Sequence, residues 1–224
     1  MAGGKTILIL GASRGIGLGL AQEFAAREWR VIASERRRSE ALHALDGVEV
    51  VTADVTDPAS YAELGLADGS LDAILVNAGI TGAAHQSAER ASDEEVTEVM
   101  MANAFGPARA ARQLLPRLKD GGVLAFMSSL MGSIADSSGG YDLYRTSKTA
   151  QNMLAKGISE QIAGPRGIAV LSLHPGWVRT DMGGPNATLD IGESVRGLAD
   201  VLDHAIGAGA GYRFVDYTGE ALPF

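Results

Sequence analysis

Apolar residues in this chain gather into short unbroken runs, separated by longer stretches in which apolar and polar positions alternate at helical spacing. Thr6–Leu10 is a continuous apolar run, as a strand buried on both faces requires. Runs at Val31–Ala33, Val48–Val51, Ala73–Val76, Val123–Met127 and Ala169–Leu173 predict further strands, and Tyr212–Val215 predicts a short last one. The intervening segments read as helices. Ile16, Leu20 and Phe24 form one apolar stripe. Asp57-Pro58 reads as an N-cap followed by proline at the first helical position, and Asp93 as the N-cap of a helix carrying Val96, Val99 and Met100. Strand and helix alternating from end to end predict an α/β fold: a doubly wound parallel sheet with helices on both faces. Neither repeats nor linkers interrupt the pattern, so residues 1–224 are expected to form one domain. The glycine-rich segment Gly183–Gly192 is too polar for a core element and reads as a surface loop or lid.

Composition narrows the function. With 46% hydrophobic and 21% charged residues, the chain has the balance of a soluble globular protein. Its apolar runs are too short to span a bilayer, and Met1–Lys5 lacks the layout of a signal peptide, so no membrane association and a cytoplasmic location are expected. The absence of cysteine excludes disulfides, thiol catalysis and thiolate metal sites. A net charge of −8 argues against nucleic-acid binding. Arg36-Arg37-Arg38 is the one basic run, either a local anion site or a solvated loop. The histidines at 43, 85, 174 and 204 have no metal-ligand spacing, and no metal is expected.

The first strand leads into Gly11-Ala12-Ser13-Arg14-Gly15-Ile16-Gly17. Glycines let the backbone turn sharply and approach a pyrophosphate, while the helix starting near Ile16 presents free N–H groups to the anion. A dinucleotide needs a ribose determinant after the second strand, where Ser34-Glu35-Arg36 stands. Glu35 could accept from a ribose 2′-hydroxyl, which favours NAD; Arg14 and Arg36 could pair with a 2′-phosphate, which favours NADP.

Tyr144 and Lys148 lie four residues apart, on one face of a predicted helix. Tyrosine titrates too high for acid–base work near neutrality, and a nearby ammonium lowers that value. Three strand ends point at the same crevice: Ser128-Ser129 after the fifth, Asn77-Ala78-Gly79 after the fourth and His174-Pro175-Gly176 after the sixth.

Over essentially its whole length the sequence resembles the short-chain dehydrogenases/reductases. The resemblance rests on Gly11–Gly17, Asp54-Val55, Asn77-Ala78-Gly79, Asn103, the set Ser129, Tyr144 and Lys148, and Pro175-Gly176. Ser128–Ile134, Tyr144–Lys148, His174–Met182 and Asp216–Glu220 resemble more narrowly the C-factor and sniffer-like carbonyl reductases. The resemblance implies a Rossmann-type fold, a homodimer or homotetramer, and NAD(P)(H)-dependent hydride transfer with a small carbonyl or alcohol substrate. Tyr144 would be the general acid. Lys148 would hold the nicotinamide ribose and depress the Tyr144 pKa. Ser129 would orient the carbonyl, with Ser128 the alternative because register decides which hydroxyl points inward. Asn103 would position a water linked to Lys148; its plainer role is a polar residue at a kink caused by Gly106 and Pro107. Val178 and Thr180 would join Pro175 and Gly176 at the cofactor, and Tyr141 would be a pocket wall. Two features depart from the family: an acid at Glu35, where NADP-type members avoid one, and a longer Ser129–Tyr144 separation holding Asp136–Gly140. Two cations against one anion tilt the cofactor toward NADP(H). Two other readings compete: a nucleotide-sugar epimerase or dehydratase, and a non-catalytic dinucleotide-binding signalling protein. The substrate loops are expected around His85–Arg90, Leu130–Tyr141 and Gly183–Gly192.

Overall fold

The computed structural model describes residues 4–224. Seven strands, β1 (Thr6–Leu10), β2 (Arg30–Glu35), β3 (Val48–Thr52), β4 (Leu71–Val76), β5 (Leu118–Met127), β6 (Ala169–His174) and β7 (Gly211–Asp216), form one sheet in the order β3-β2-β1-β4-β5-β6-β7. All six pairings are parallel. The chain runs outward to β3, then returns to lay β4 on the other side of β1. Strand order reverses there, which opens a crevice above the carboxyl ends of β1 and β4.

Period-two geometry explains why the strand runs are unbroken. Ile7 and Ile9 pack on one face with Leu20 and Phe24 of α1 (Gly15–Ala26), and with Leu198 and Leu202 of a helix at Ile191–Ala205. Leu8 and Leu10 face the other way, onto Ala111 and Leu114 of a helix at Gly106–Leu114 and Ala155 and Ile158 of one at Asp142–Ile158. With helices on both faces, a central strand such as β1 is apolar on both sides. β5 begins earlier than its apolar run, because Leu118 pairs with Leu71 before an irregularity in register.

The remaining helices are α2 (Glu40–His43), α3 (Pro58–Ala62) and α4 (Asp93–Met100); those at Gly106–Leu114, Asp142–Ile158 and Ile191–Ala205 are α5, α6 and α7. Asp57 caps α3 as expected, accepting from the Ala59 N–H at 3.1 Å. The cap of α4 is Ser92 rather than Asp93. The Ser92 hydroxyl accepts from the Glu95 N–H at 3.2 Å, and the Glu95 carboxylate accepts from the Ser92 N–H at 2.9 Å. This reciprocal pair satisfies two amides at once, and Asp93 moves into the first turn beside the positive end of the helix dipole. Ser92→Ala should cost about 1 kcal/mol, lowering Tm by roughly 2–4 °C in a thermal melt.

Candidate active site

The turn from β1 into α1 is held from two neighbouring strands. The Gly11 N–H donates to Ser34 Oγ at 2.9 Å, and Asn77 Nδ2 donates to the Gly11 carbonyl at 2.6 Å. Ser39 Oγ reaches back to the Ser13 carbonyl at 2.7 Å, tying the loop after β2 to the turn. Two glycines serve opposite purposes. A Cβ on Gly17 would stand 2.2 Å from the Gly11 carbonyl oxygen, so this glycine is needed to close the turn. Gly15 has φ +55°, and a Cβ there would meet nothing nearer than Thr180 Cγ2 at 3.6 Å. Its outer side is open, as a backbone cradle for an anion requires. Arg14 caps α1 with extended backbone and no side-chain bond to the helix amides, and Ile16 is partly buried against the core.

The two candidate ribose residues have separated. Both carboxylate oxygens of Glu35 are engaged, one with the Ser39 N–H at 2.6 Å and one with His43 Nε2 at 2.8 Å. Glu35 is 7% exposed. Burial alone would raise its pKa, but the hydrogen bonds from His43 and Ser39 outweigh that and hold it below the ordinary carboxylate value. Glu35 is thus committed within the chain, because α2 and its cap fold back onto the acid. Arg36, by contrast, is largely exposed and lies 3.6 Å from Asp54 Oδ2. Arg14 is exposed too, 3.1 Å from Asp181. Asp54 accepts from Thr56 through its N–H at 2.9 Å and its hydroxyl at 2.8 Å, and Val55 beside it is buried.

At the centre of the crevice, β5 ends in Ser128 and Ser129, and register separates them. Ser128 is buried and donates to Asn152 Oδ1 at 2.7 Å. Ser129 turns the other way, toward Tyr144; its hydroxyl accepts from the Met131 N–H at 3.1 Å. Lys148 lies one turn along α6, its Nζ 5.8 Å from the Tyr144 ring centre and donating to the Met127 carbonyl at 2.8 Å. Burial drives these two groups in opposite senses. It raises the Tyr144 phenol above its ordinary value, a rise that the neighbouring Ser129 hydroxyl opposes, and it lowers Lys148 to about 7. The direction of the phenol's shift is set by its burial, with the Ser129 hydroxyl opposing it.

Asn103 sits in a π-helical turn, Met101–Phe105, between α4 and α5. The Gly106 N–H donates back five residues to Met101, and Pro107 follows with no N–H to give, so the anticipated kink takes the form of a widened turn. Asn103 Oδ1 accepts from the Ile80 N–H, and Nδ2 donates to the Ile80 carbonyl, both at 2.8 Å. Nδ2 also donates to Ser147 Oγ at 3.0 Å. The loop after β4 is thereby pinned to α6. A methyl on Gly79 would lie 3.2 Å from Asn103 Oδ1 and 3.4 Å from Lys148 Nζ, so Asn103 and Lys148 flank that glycine. The Ala78 N–H donates to the Leu10 carbonyl at 2.9 Å.

On the far side, the Pro175 carbonyl accepts from Ser194 Oγ at 2.7 Å, and Gly176 turns the chain with φ +83°. Val178 is buried and pairs with Leu189, which closes the Gly183–Gly192 segment back onto the strand end. Thr180 Oγ1 accepts from the Gly183 N–H at 3.1 Å. Tyr141, in left-handed backbone at φ +52°, stands at the N-cap of α6 and is 62% exposed.

Three residues to which sequence reasoning gave no individual role also shape this site, Gln86 from within the expected His85–Arg90 loop. Gln86 receives the Leu143 N–H on its carbonyl at 3.0 Å and the Tyr144 N–H on Oε1 at 3.2 Å, and so anchors the start of α6. Nothing local in the sequence signals a contact across 58 residues. Asn152 fixes Ser128, and its position on the Lys148 face of α6 was the available clue. His43 holds Glu35, and its spacing of eight residues suggests nothing until α2 folds. Among the described residues, no three of His, Cys, Asp and Glu are grouped to hold a metal ion, and no helix is long and apolar enough to cross a membrane.

Comparison with known proteins places the fold and the family. The family model for short chain dehydrogenase matches residues 5–188. C-signal of Myxococcus xanthus is 39% identical over 161 residues, spanning 70% of this chain and 94% of that protein. A carbonyl reductase from Pseudomonas aeruginosa PAO1, solved in complex with NADP, superposes with a TM-score of 0.90 at 40% identity, covering 99% of this chain and 100% of that one. The carbonyl reductase Sniffer of D. melanogaster superposes with a TM-score of 0.86 at 28% identity, again over 99% and 100% of the two chains. With its switch-point crevice, its glycine turn and its Ser–Tyr–Lys cluster, this chain belongs to the short-chain dehydrogenase/reductase family of oxidoreductases.

Proposed function

We propose that residues 1–224 act as one dinucleotide-binding and catalytic domain that reduces a small carbonyl substrate, or oxidises the matching alcohol, with NADP(H) preferred over NAD(H). The observation that carries this reading is the meeting of Ser129, Tyr144 and Lys148 at the carboxyl end of β5, beside the glycine turn. The residues present fit the cofactor. Gly15 leaves an open backbone cradle at the start of α1, and two exposed guanidinium groups, Arg14 at the start of α1 and Arg36 just past β2, are available for a 2′-phosphate. Ser13, Ile16 and Gly17 would line the pyrophosphate. Asp54, Val55 and Asn77–Gly79 would line the adenosine side, with Pro175, Gly176, Val178 and Thr180 around the nicotinamide end.

The bound dihydronicotinamide supplies hydride. The chain supplies position and the proton. Ser129 Oγ holds the substrate oxygen next to Tyr144. Tyr144 keeps its proton near neutrality because burial raises its pKa, so its Oη is a ready donor in the direction of reduction. Lys148, at about 7 and with its Nζ 5.8 Å from the Tyr144 ring centre, can carry or release a proton at working pH beside the phenol. The proposal includes a cytoplasmic homo-oligomer; exposed Val96, Phe105 and Met153 supply apolar surface for assembly.

Mixing the protein with NADPH and NADH in parallel against a panel of aldehydes and ketones tests this reading. Turnover should be faster with NADPH, and no turnover with either cofactor would overturn it. Arg36→Ala should weaken NADPH binding by about tenfold, the loss of one charge-assisted contact. NADH binding should be nearly unchanged, as read by cofactor fluorescence titration.

A further inference from the structure

The end of β2 holds an acid and three consecutive arginines within four residues, Glu35-Arg36-Arg37-Arg38. An exposed carboxylate at this place would repel a 2′-phosphate and accept a hydrogen bond from a 2′-hydroxyl. It would therefore favour the unphosphorylated dinucleotide. The structure removes it from that role with residues outside the strand. The Ser39 N–H and His43 Nε2 take one oxygen each, at 2.6 and 2.8 Å. Arg38 lies over the same cluster, with Nη1 3.4 Å from His43 Nδ1 and Nε 2.7 Å from Glu40. Ser39 both caps α2 and binds the glycine turn through the Ser13 carbonyl, so the element carrying His43 is fixed against the phosphate site.

We propose that His43 is a cofactor-selectivity residue: by clasping Glu35 it masks the acid at the end of β2 and leaves Arg36 and Arg14 to receive a 2′-phosphate. This rests on the NADP(H) reading above. His43 is a positioning residue in this role; it acts through Glu35 and touches no reacting atom. The clasp accounts for a sequence that carries an acid and cations together. The acid is spent on the α2 turn, and Arg36, the first residue past the strand, stays exposed beside Asp54 and outside that clasp.

The test is the ratio of NADPH to NADH affinity, measured by fluorescence titration in single and double variants. His43→Ala should weaken NADPH binding about tenfold while NADH binding holds or improves, because the released carboxylate faces the 2′-position. His43→Gln, which keeps an N–H donor, should preserve the ratio. Adding Glu35→Gln to His43→Ala should restore NADPH binding. Glu35→Gln alone should change the ratio little, since its charge is already masked. An unchanged ratio in His43→Ala, or an equal loss for both cofactors, would overturn the proposal. So would a rise of about tenfold in NADPH affinity in Glu35→Gln alone, which stands as the test if His43→Ala does not fold. Arg36→Ala separates the two readings. If it leaves NADPH affinity intact, the 2′-phosphate reading fails. If it lowers NADPH affinity while the His43 variants keep the ratio, only the clasp fails.

Discussion

Tyr144→Phe is expected to lose turnover by a factor on the order of 10²–10⁴, with NADPH binding close to that of the unaltered protein. The substitution removes one oxygen from a partly buried ring and leaves the packing of α6 in place. What disappears is the donor held beside Ser129. Because burial keeps the phenol above its ordinary value of 10, the acid form persists through the neutral range. Carbonyl reduction should therefore vary little with pH on account of this group, while alcohol oxidation, which needs the phenolate, should rise as pH increases. Steady-state kinetics in both directions, with cofactor titration alongside, checks this. Activity near that of the unaltered enzyme would remove Tyr144 from the chemistry.

Lys148→Met should damage function and strengthen the fold together. Its ammonium lies buried with the Met127 carbonyl as its nearest partner at 2.8 Å and Gln151 Oε1 at 3.4 Å. No carboxylate is among its hydrogen-bonding partners, and burial lowers its pKa from 10.5 to about 7. A buried charge replaced by an apolar side chain of similar length often stabilises, and the lost hydrogen bond offsets part of that gain. A net rise of about 1–2 kcal/mol is expected at neutral pH, or several degrees in Tm. Turnover should fall by about 10² or more, and NADPH should bind more weakly. The pH dependence has a definite sign. Between about pH 7 and 10.5 the unfolded chain holds the lysine proton and the folded chain does not, so the stability of the unaltered protein rises with pH there. Below about 7 both states hold the proton and this contribution is flat. The advantage of Lys148→Met should thus be greatest at and below pH 7 and shrink toward pH 10. Thermal melts of both proteins across that range measure it; a variant less stable than the parent at pH 7 would contradict the assignment.

Much of this molecule can be read from the order of its residues, because the relevant physics is local. Unbroken apolar runs such as Thr6–Leu10 follow from burial on both faces of a strand, and their alternation with helices implies a parallel sheet. The glycine turn and the Tyr144–Lys148 pair are equally legible, since backbone freedom and one turn of helix are set within a few residues. Short-range competition already blurs the reading. Asp93 and the neighbouring Ser92 are both good caps, and only the reciprocal bond with Glu95 decided for the serine.

Tertiary structure decided the rest, because the deciding partners lie far along the chain or on another element. Ser128 and Ser129 differ by one position, and strand register sends one to Asn152 and the other to Tyr144. Glu35 and Arg36 look equally placed for a ribose until α2 brings Ser39 and His43 onto the carboxylate. The spacing of Tyr144 and Lys148 suggests a lysine that lowers a phenol. Their titration follows instead from how much water is excluded around each, which raises one and lowers the other. Which residues can meet is a matter of local periodicity; which of them are charged, masked or aimed into the crevice depends on burial, and burial exists only once the sheet and its helices have closed together.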